Sequence, residues 1–160
     1  MRWHLIGHLQ SNKIRKVLPA AELIHGVDSA DLAGDIDRIA AELGLFPRVL
    51  LEVNVSGEGT KYGFKPETLT AQIDALLALP RVQVEGLMTS EPYVENPEEV
   101  RPFFIRLREL RNELAARTGT PLPVLSMGMS GDFEVAIEEG ATLVRVGTAI
   151  FGTRPKKTEG

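Results

Sequence analysis

Residues 125–140 read LSMGMSGDFEVAIEEG, and this stretch sets the architecture. An apolar run ends at Ser126 and Met127. Small and hydroxylated residues follow at Gly128, Ser130 and Gly131, and a helix is expected over Asp132–Glu139, closed by Gly140. A strand passing through a short turn into a helix is one unit of a parallel α/β protein. The functional site of such a protein lies at the C-terminal ends of its strands. Free N–H groups at a helix start, beside a serine hydroxyl, can bind an anion. The same residues serve equally well as a plain N-cap and turn.

Outward from that stretch the unit repeats. Apolar, β-branched runs are WHLIGHL, ELIHGVD, RVLLEVNVS, VQVEGLMTS and TLVRVGTAIFG, with PVLSMGMS the run already met. Residues Trp3 to Leu9 read as a buried strand. Between the runs, Asp31–Leu43 carries Leu32, Ile36, Ile39, Ala40 and Leu43 at helical spacing and stops at Gly44. Pro66–Leu79 repeats the pattern before Pro80. Asn96–Arg117 is expected as the longest helix, with Asn96 as N-cap and Pro97 at the first helical position. Near-continuous apolar strands are those covered on both faces, as in a parallel sheet. Six strands and about five helices with short connections predict one α/β domain over 1–154 and a polar tail over 155–160. Periodicity leaves a closed barrel and an open doubly wound sheet both standing; a dinucleotide-binding sheet is unsupported because no GxGxxG turn follows the first strand.

Bulk properties narrow the function classes. The chain has 160 residues, 43% hydrophobic and 25% charged, with formal net charge −4 and no cysteine. The acidic balance argues against a nucleic-acid partner. Without cysteine there is no disulfide or thiolate chemistry, and a cytoplasmic location is expected. No apolar run is long enough for a membrane span, so no membrane partner is expected.

Strand ends supply the candidate residues. Gly147 and Thr148 directly follow a strand, and with Ser130 and Gly131 they could converge on one phosphate if these are a barrel's last two strands. Arg145 alternates with Val144 and Val146, which points it inward, where it needs a partner; an outward Arg on a solvated rim is the alternative. Asn54 and Met88 close their own strands. His4 and His8 would lie about 13 Å apart on one side of a strand. No ligand spacing completes a metal site, so the histidines read as structural and no metal is expected. The loop GEGTKYGF (57–64) carries Lys61 but is not a P-loop.

Taken in order, WHLIGHLQSNK, HGVDS, EVNVSGEGTKYGF, GLMTS, LSMGMSGDFEVAIEEG and VRVGTAIFG resemble the pyridoxal phosphate homeostasis proteins (the YggS/PROSC family) from Trp3 to about Arg154. The resemblance implies a TIM-type (β/α)8 barrel like the N-terminal domain of alanine racemase, with these six strands as strands three to eight. It implies bound pyridoxal 5′-phosphate (PLP), usually a Schiff base to a lysine. Ser130, Gly131, Gly147 and Thr148 match the phosphate cradle, Ser126 lies on the strand leading to it, and Arg145 matches the arginine facing the pyridine nitrogen. Asn54 and Met88 match strand-end positions lining the pocket.

The family carries two further strands ahead of the WHxIGxLQ strand, and the first holds the Schiff-base lysine in a VSK-type segment. Neither segment is matched, and Lys13, Lys16, Lys61, Lys65, Lys156 and Lys157 lie elsewhere. The expectation is a truncated, incomplete barrel that binds PLP, or a phosphate-like anion, without a covalent link. Glu91 stands where the family commonly has a small or apolar residue. A non-enzymatic role in intracellular PLP (vitamin B6) homeostasis is expected. A racemase-like PLP enzyme and an inactive barrel fragment are the alternatives. Exposed strand edges imply possible self-association.

Overall fold

The computed structural model describes residues 1–59 and 61–153; the expected tail at 155–160 lies outside the described residues. Strands and helices alternate as β1 (His4–Leu5), α1 (Ile14–Val17), β2 (Leu23–Val27), α2 (Ala30–Leu43), β3 (Arg48–Glu52) and α3 (Pro66–Leu77). Then come β4 (Gln83–Met88), α4 (Arg101–Thr118), β5 (Val124–Met129), α5 (Phe133–Glu138), β6 (Leu143–Arg145) and α6 (Thr148–Phe151). Helix boundaries follow local chemistry. The Ser29 hydroxyl accepts the Leu32 N–H at 3.2 Å and starts α2. The helix expected from Asn96 is divided into a 3-10 turn, Pro97–Val100, and α4. Pro102 explains the break, because in one continuous α-helix its ring would strike the Glu98 carbonyl.

All five strand pairings are parallel, and the order in space is the order in sequence. A doubly wound sheet reverses direction at a switch point; this one does not, so its strands form one arc of wall, a half-barrel. The arc curls tightly. His25 on β2 meets Ser126 on β5 at 2.8 Å, although β3 and β4 lie between them in the sheet.

Alternation along each strand sorts side chains between two faces. The convex face sends Ile24, Val49, Leu51, Leu87, Leu125 and Met127 into the main core with the helices. Inside the arc, Leu23, Leu50 and Met88 form a second apolar layer, with Val124 and Leu143 against it. Below it, Arg48 holds Glu85 at 2.5 and 2.7 Å and Glu22 at 3.3 Å. Above it lies a polar layer.

Two expectations are corrected. Of the run Trp3–Leu9, only His4 and Leu5 pair with β2, and Trp3 and Ile6 are 63% and 53% exposed. β1 ends the sheet with one neighbour, so most of the run has nothing to pack against. The last strand, expected to end just before Gly147, ends one residue earlier at Arg145, and the chain then turns into α6, where the Gly147 and Ala149 N–H groups are drawn onto the Ser130 hydroxyl.

Candidate functional site

The polar layer is built around Arg145. As alternation predicts, the side chain turns into the arc. Its Nη1 donates to Ser126 Oγ at 2.7 Å, and its Nη2 donates to the Thr89 carbonyl at 2.7 Å. Ser126 and Thr89 are buried and fixed to each other, because the Thr89 N–H donates to the Ser126 carbonyl. Burial pushes the Arg145 pKa down, while Glu52, Asp132 and Glu91 act the other way. Among the described residues no carboxylate forms an ion pair with Arg145, so its charge is held by neutral acceptors. Burial, then the Asp28 charge, raises the Glu52 carboxyl pKa, and Arg145 and His8 oppose the rise.

Beside this layer, the turn after β5 meets the turn after β6. Gly128 has φ +96°, and a Cβ there would stand 2.6 Å from Ala136 Cβ. Only glycine takes this backbone conformation near the end of β5 with α5 packed against it. Ser130 Oγ then accepts two backbone N–H groups, from Gly147 at 3.0 Å and Ala149 at 3.1 Å. Two donors converging on one oxygen make a small anion cradle, now filled by the serine. A Cβ at Gly147 would meet nothing within 4 Å, and one at Gly131 only the Tyr93 ring at 3.9 Å. The space beside both glycines is therefore open. Thr148 is exposed at the start of α6.

Other expected residues are placed differently. Both ends of the Asn54 amide are used within its own loop: Nδ2 donates to the Glu58 carbonyl, and Oδ1 accepts from Ser56 Oγ and the Gly57 N–H. Asn54 shapes the rim. Met88 is buried in the apolar layer and forms the floor beneath the polar groups. Lys61 donates to the Ser90 carbonyl at 3.2 Å.

The three histidines fall into separate settings. His8 pairs with Asp28 at 3.0 Å and stacks on Tyr62. His4 meets His25 at 3.1 Å. Among the described residues no group of three His, Cys, Asp or Glu is placed to hold a metal, and no helix is long and apolar enough to cross a membrane.

Two surface grooves flank the array. One of about 490 Å³ is lined by His8, Gln10, Asn12 and Asp28; the other, about 390 Å³, runs past Ser130, Gly131 and Asp132. Neither of these two is lined by Arg145 or Ser126.

The profile of the alanine racemase N-terminal domain matches residues 1–155. The pyridoxal phosphate homeostasis protein of Aquifex aeolicus is 53% identical over 154 residues, which is 96% of this chain and 68% of that protein. The chain belongs to the alanine racemase N-terminal-domain family, with the pyridoxal phosphate homeostasis proteins. The homeostasis protein of Synechocystis is 40% identical over 96% of this chain and 71% of its own length. PipY of Synechococcus elongatus, solved with PLP bound, superposes with a TM-score of 0.87 at 41% identity, covering 95% of this chain and 71% of PipY. This chain thus spans about two thirds of the length of these relatives. Alanine racemase of Clostridium difficile, 18% identical with a TM-score of 0.80, shares the fold.

Patterning marks Thr89 as a polar strand end and His25 as structural, but does not give the part either plays in holding Arg145. Thr89 holds Arg145 through its backbone carbonyl, which residue type does not advertise. His25 was readable only in part. It lies two residues after Leu23, so period two puts both on one face, but its partner is 101 positions away.

Proposed function

We propose that this chain binds PLP at the C-terminal end of its half-barrel and acts as a non-enzymatic cytoplasmic carrier in vitamin B6 homeostasis. The observation that carries this reading is Arg145, buried in part, fixed by Ser126 and Thr89, and free of any ion pair among the described residues. A pyridine phosphate needs a partner for its ring nitrogen and N–H donors for its phosphate. Arg145 suits the first need. The second is met at Gly147 and Ala149, whose N–H groups already converge on an oxygen, beside the open positions of Gly131 and Gly147. Ser130 and Thr148 add hydroxyls there, Ser126 positions the arginine, Met88 supplies the floor and Asn54 the rim.

PLP, when bound, supplies an aldehyde that reacts with amines and a ring that withdraws electrons. Arg145 keeps its charge at any physiological pH. Facing the ring nitrogen, it disfavours protonation there and weakens electron withdrawal, which suits carriage rather than amino-acid chemistry. The strands β1–β6 then correspond to strands three to eight of an eight-stranded barrel, a reading supported by their sequential parallel order. β1 and β6 each have one partner strand, so pairing between copies belongs to this reading, and light scattering would register it.

Equilibrium dialysis of the full chain against PLP, with pyridoxal and inorganic phosphate as competitors, tests the proposal. Saturable binding is expected, with no borohydride-stable adduct concentrated on one lysine and no racemisation of alanine. Absence of saturable binding overturns the reading; an adduct on a single lysine overturns its non-covalent part.

A further inference from the structure

Arg145, Ser126, His25 and His4 are joined in one file of hydrogen bonds drawn from β6, β5, β2 and β1. The file has a direction. Arginine only donates, so Ser126 Oγ accepts from Arg145 Nη1 at 2.7 Å. The serine hydroxyl has one proton of its own, and Ser126 is wholly buried, so that proton needs an acceptor. Among the described residues its remaining partner is His25 Nδ1, at 2.8 Å. Nδ1 is therefore bare and the imidazole proton sits on Nε2, which donates to His4 Nδ1 at 3.1 Å. In the reverse arrangement, Arg145 and His25 both donate into Ser126, and the serine proton is stranded in a buried site, which is costly.

We infer that His25 is a positioning residue: by accepting the Ser126 proton at Nδ1, it keeps the Ser126 oxygen turned to Arg145 and so holds the guanidinium in the ligand site. The ring is suited to this task. Burial first, then the positive charge of Arg145, brings its pKa down to about 4, so it stays neutral and able to accept. His25 also ties β2 to β5 across the arc, so the arginine is braced from the far wall as well as from its neighbouring strand. Its effect on a ligand rests on the PLP reading; its tautomer and its hold on Arg145 do not.

Three variants separate the cases. His25→Asn keeps an oxygen able to accept from Ser126, His25→Leu removes the acceptor, and Ser126→Ala removes the donor. In ligand-free protein labelled with ¹⁵N at histidine, long-range ¹H–¹⁵N spectra are expected to show His25 as the neutral Nε2–H tautomer from about pH 5.5 to 8, a preference released in Ser126→Ala. The Arg145 guanidinium protons should exchange slowly in the native chain and in His25→Asn, and quickly in His25→Leu. With PLP as probe, His25→Leu should weaken binding about tenfold and shift the absorption maximum of bound PLP, while His25→Asn stays within about twofold of the native chain. An Nδ1–H tautomer, or native-like binding and guanidinium exchange in His25→Leu, overturns the inference. Should His25→Leu not fold, the tautomer in the native chain and Ser126→Ala decides. If the native chain does not bind PLP, the ligand reading fails, and the tautomer and exchange measurements still decide the role of His25.

Discussion

Arg145 Nη1 and Ser126 Oγ lie 2.7 Å apart on neighbouring strands, and the arginine's second arm reaches the Thr89 carbonyl at the same distance. A guanidinium spanning two neutral acceptors is fixed in direction, while its charge stays available to an incoming ligand.

Removing that charge tests the site most directly. Arg145→Met should weaken PLP binding between about tenfold and a hundredfold, the range expected for a charge-assisted hydrogen bond. Arg145→Lys should recover little, because a single ammonium cannot reproduce the fork that spans Ser126 and Thr89. Equilibrium dialysis gives both values. Equal affinity in the two variants and the native chain would place the ligand elsewhere.

The cradle at Ser130 makes a separable prediction. Ser130→Ala frees the Gly147 and Ala149 N–H groups, both exposed, and water can satisfy them. Stability should change by less than about 0.5 kcal/mol. Affinity for PLP should fall by about three- to tenfold, while affinity for pyridoxal, which lacks the phosphate, stays unchanged. Parallel titrations with the two vitamers check this. An equal loss for both would move Ser130 out of the phosphate role.

Glu91 should make stability depend on pH. Its Oε2 is buried with no partner among the described residues, and its Oε1 lies 2.9 Å from Thr89 Oγ1, which also lies 2.8 Å from the Val53 carbonyl. One threonine proton cannot serve both acceptors. The conflict at Thr89 is resolved when Glu91 carries a proton and gives it to Thr89 Oγ1, whose own proton then goes to the Val53 carbonyl. Burial raises the Glu91 pKa accordingly, against the Thr89 hydrogen bond and Lys61. The folded chain then holds this proton more tightly than the unfolded chain does. The resulting stabilisation is complete below the ordinary carboxyl range and is lost as pH rises through the raised folded value. Glu91→Gln should therefore gain about 1 kcal/mol near pH 7.5 and nothing near pH 4. Urea unfolding at the two pH values measures it, and a gain of equal size at both would refute the protonated reading.

What the sequence disclosed follows from how local each feature is. The end of α2 at Gly44 depends on neighbouring residues and stands where patterning puts it, whereas β5 runs on through Gly128 to Met129, two residues past the end that the small residues suggest, and the turn is Ser130–Asp132. Arg145 points inward because strand alternation is local too. Strand order separates a half-barrel from an open doubly wound sheet, a distinction that helical and strand periods cannot make because they carry no information on which strands adjoin. His25 stayed unread as a site residue for the same reason: its meeting with Ser126 exists only once the sheet curls. Asn54 shows the opposite case, a residue whose local bonding patterning does not reveal. A polar residue at a strand end suggests a ligand contact, but an Asx-type loop can engage both the oxygen and one N–H of the amide, as this one does.

The geometry around Arg145 also depends on a glycine that touches no ligand. Gly86 on β4 pairs in register with Val124 on β5, and a Cβ on it would lie 1.8 Å from the Val124 carbonyl oxygen. That oxygen belongs to the backbone and cannot swing away, so even alanine forces the two strands apart. Ser126 lies two residues beyond Val124, and Thr89 three beyond Gly86; these are the two anchors of the guanidinium. Gly86→Ala should destabilise the chain by about 3 kcal/mol or more and, in whatever fraction remains folded, loosen Arg145 and weaken PLP binding. Gly34 is the matching control. It lies inside α2, and a Cβ there would meet nothing within 4 Å. Gly34→Ala should stabilise by up to about 1 kcal/mol through helix propensity and leave PLP affinity unchanged. Urea melts and dialysis on the pair give the answer. A Gly86→Ala chain as stable as the native one would mean that β4 and β5 are not held this closely, and with it the bracing of Arg145 by Ser126 and Thr89 would fall.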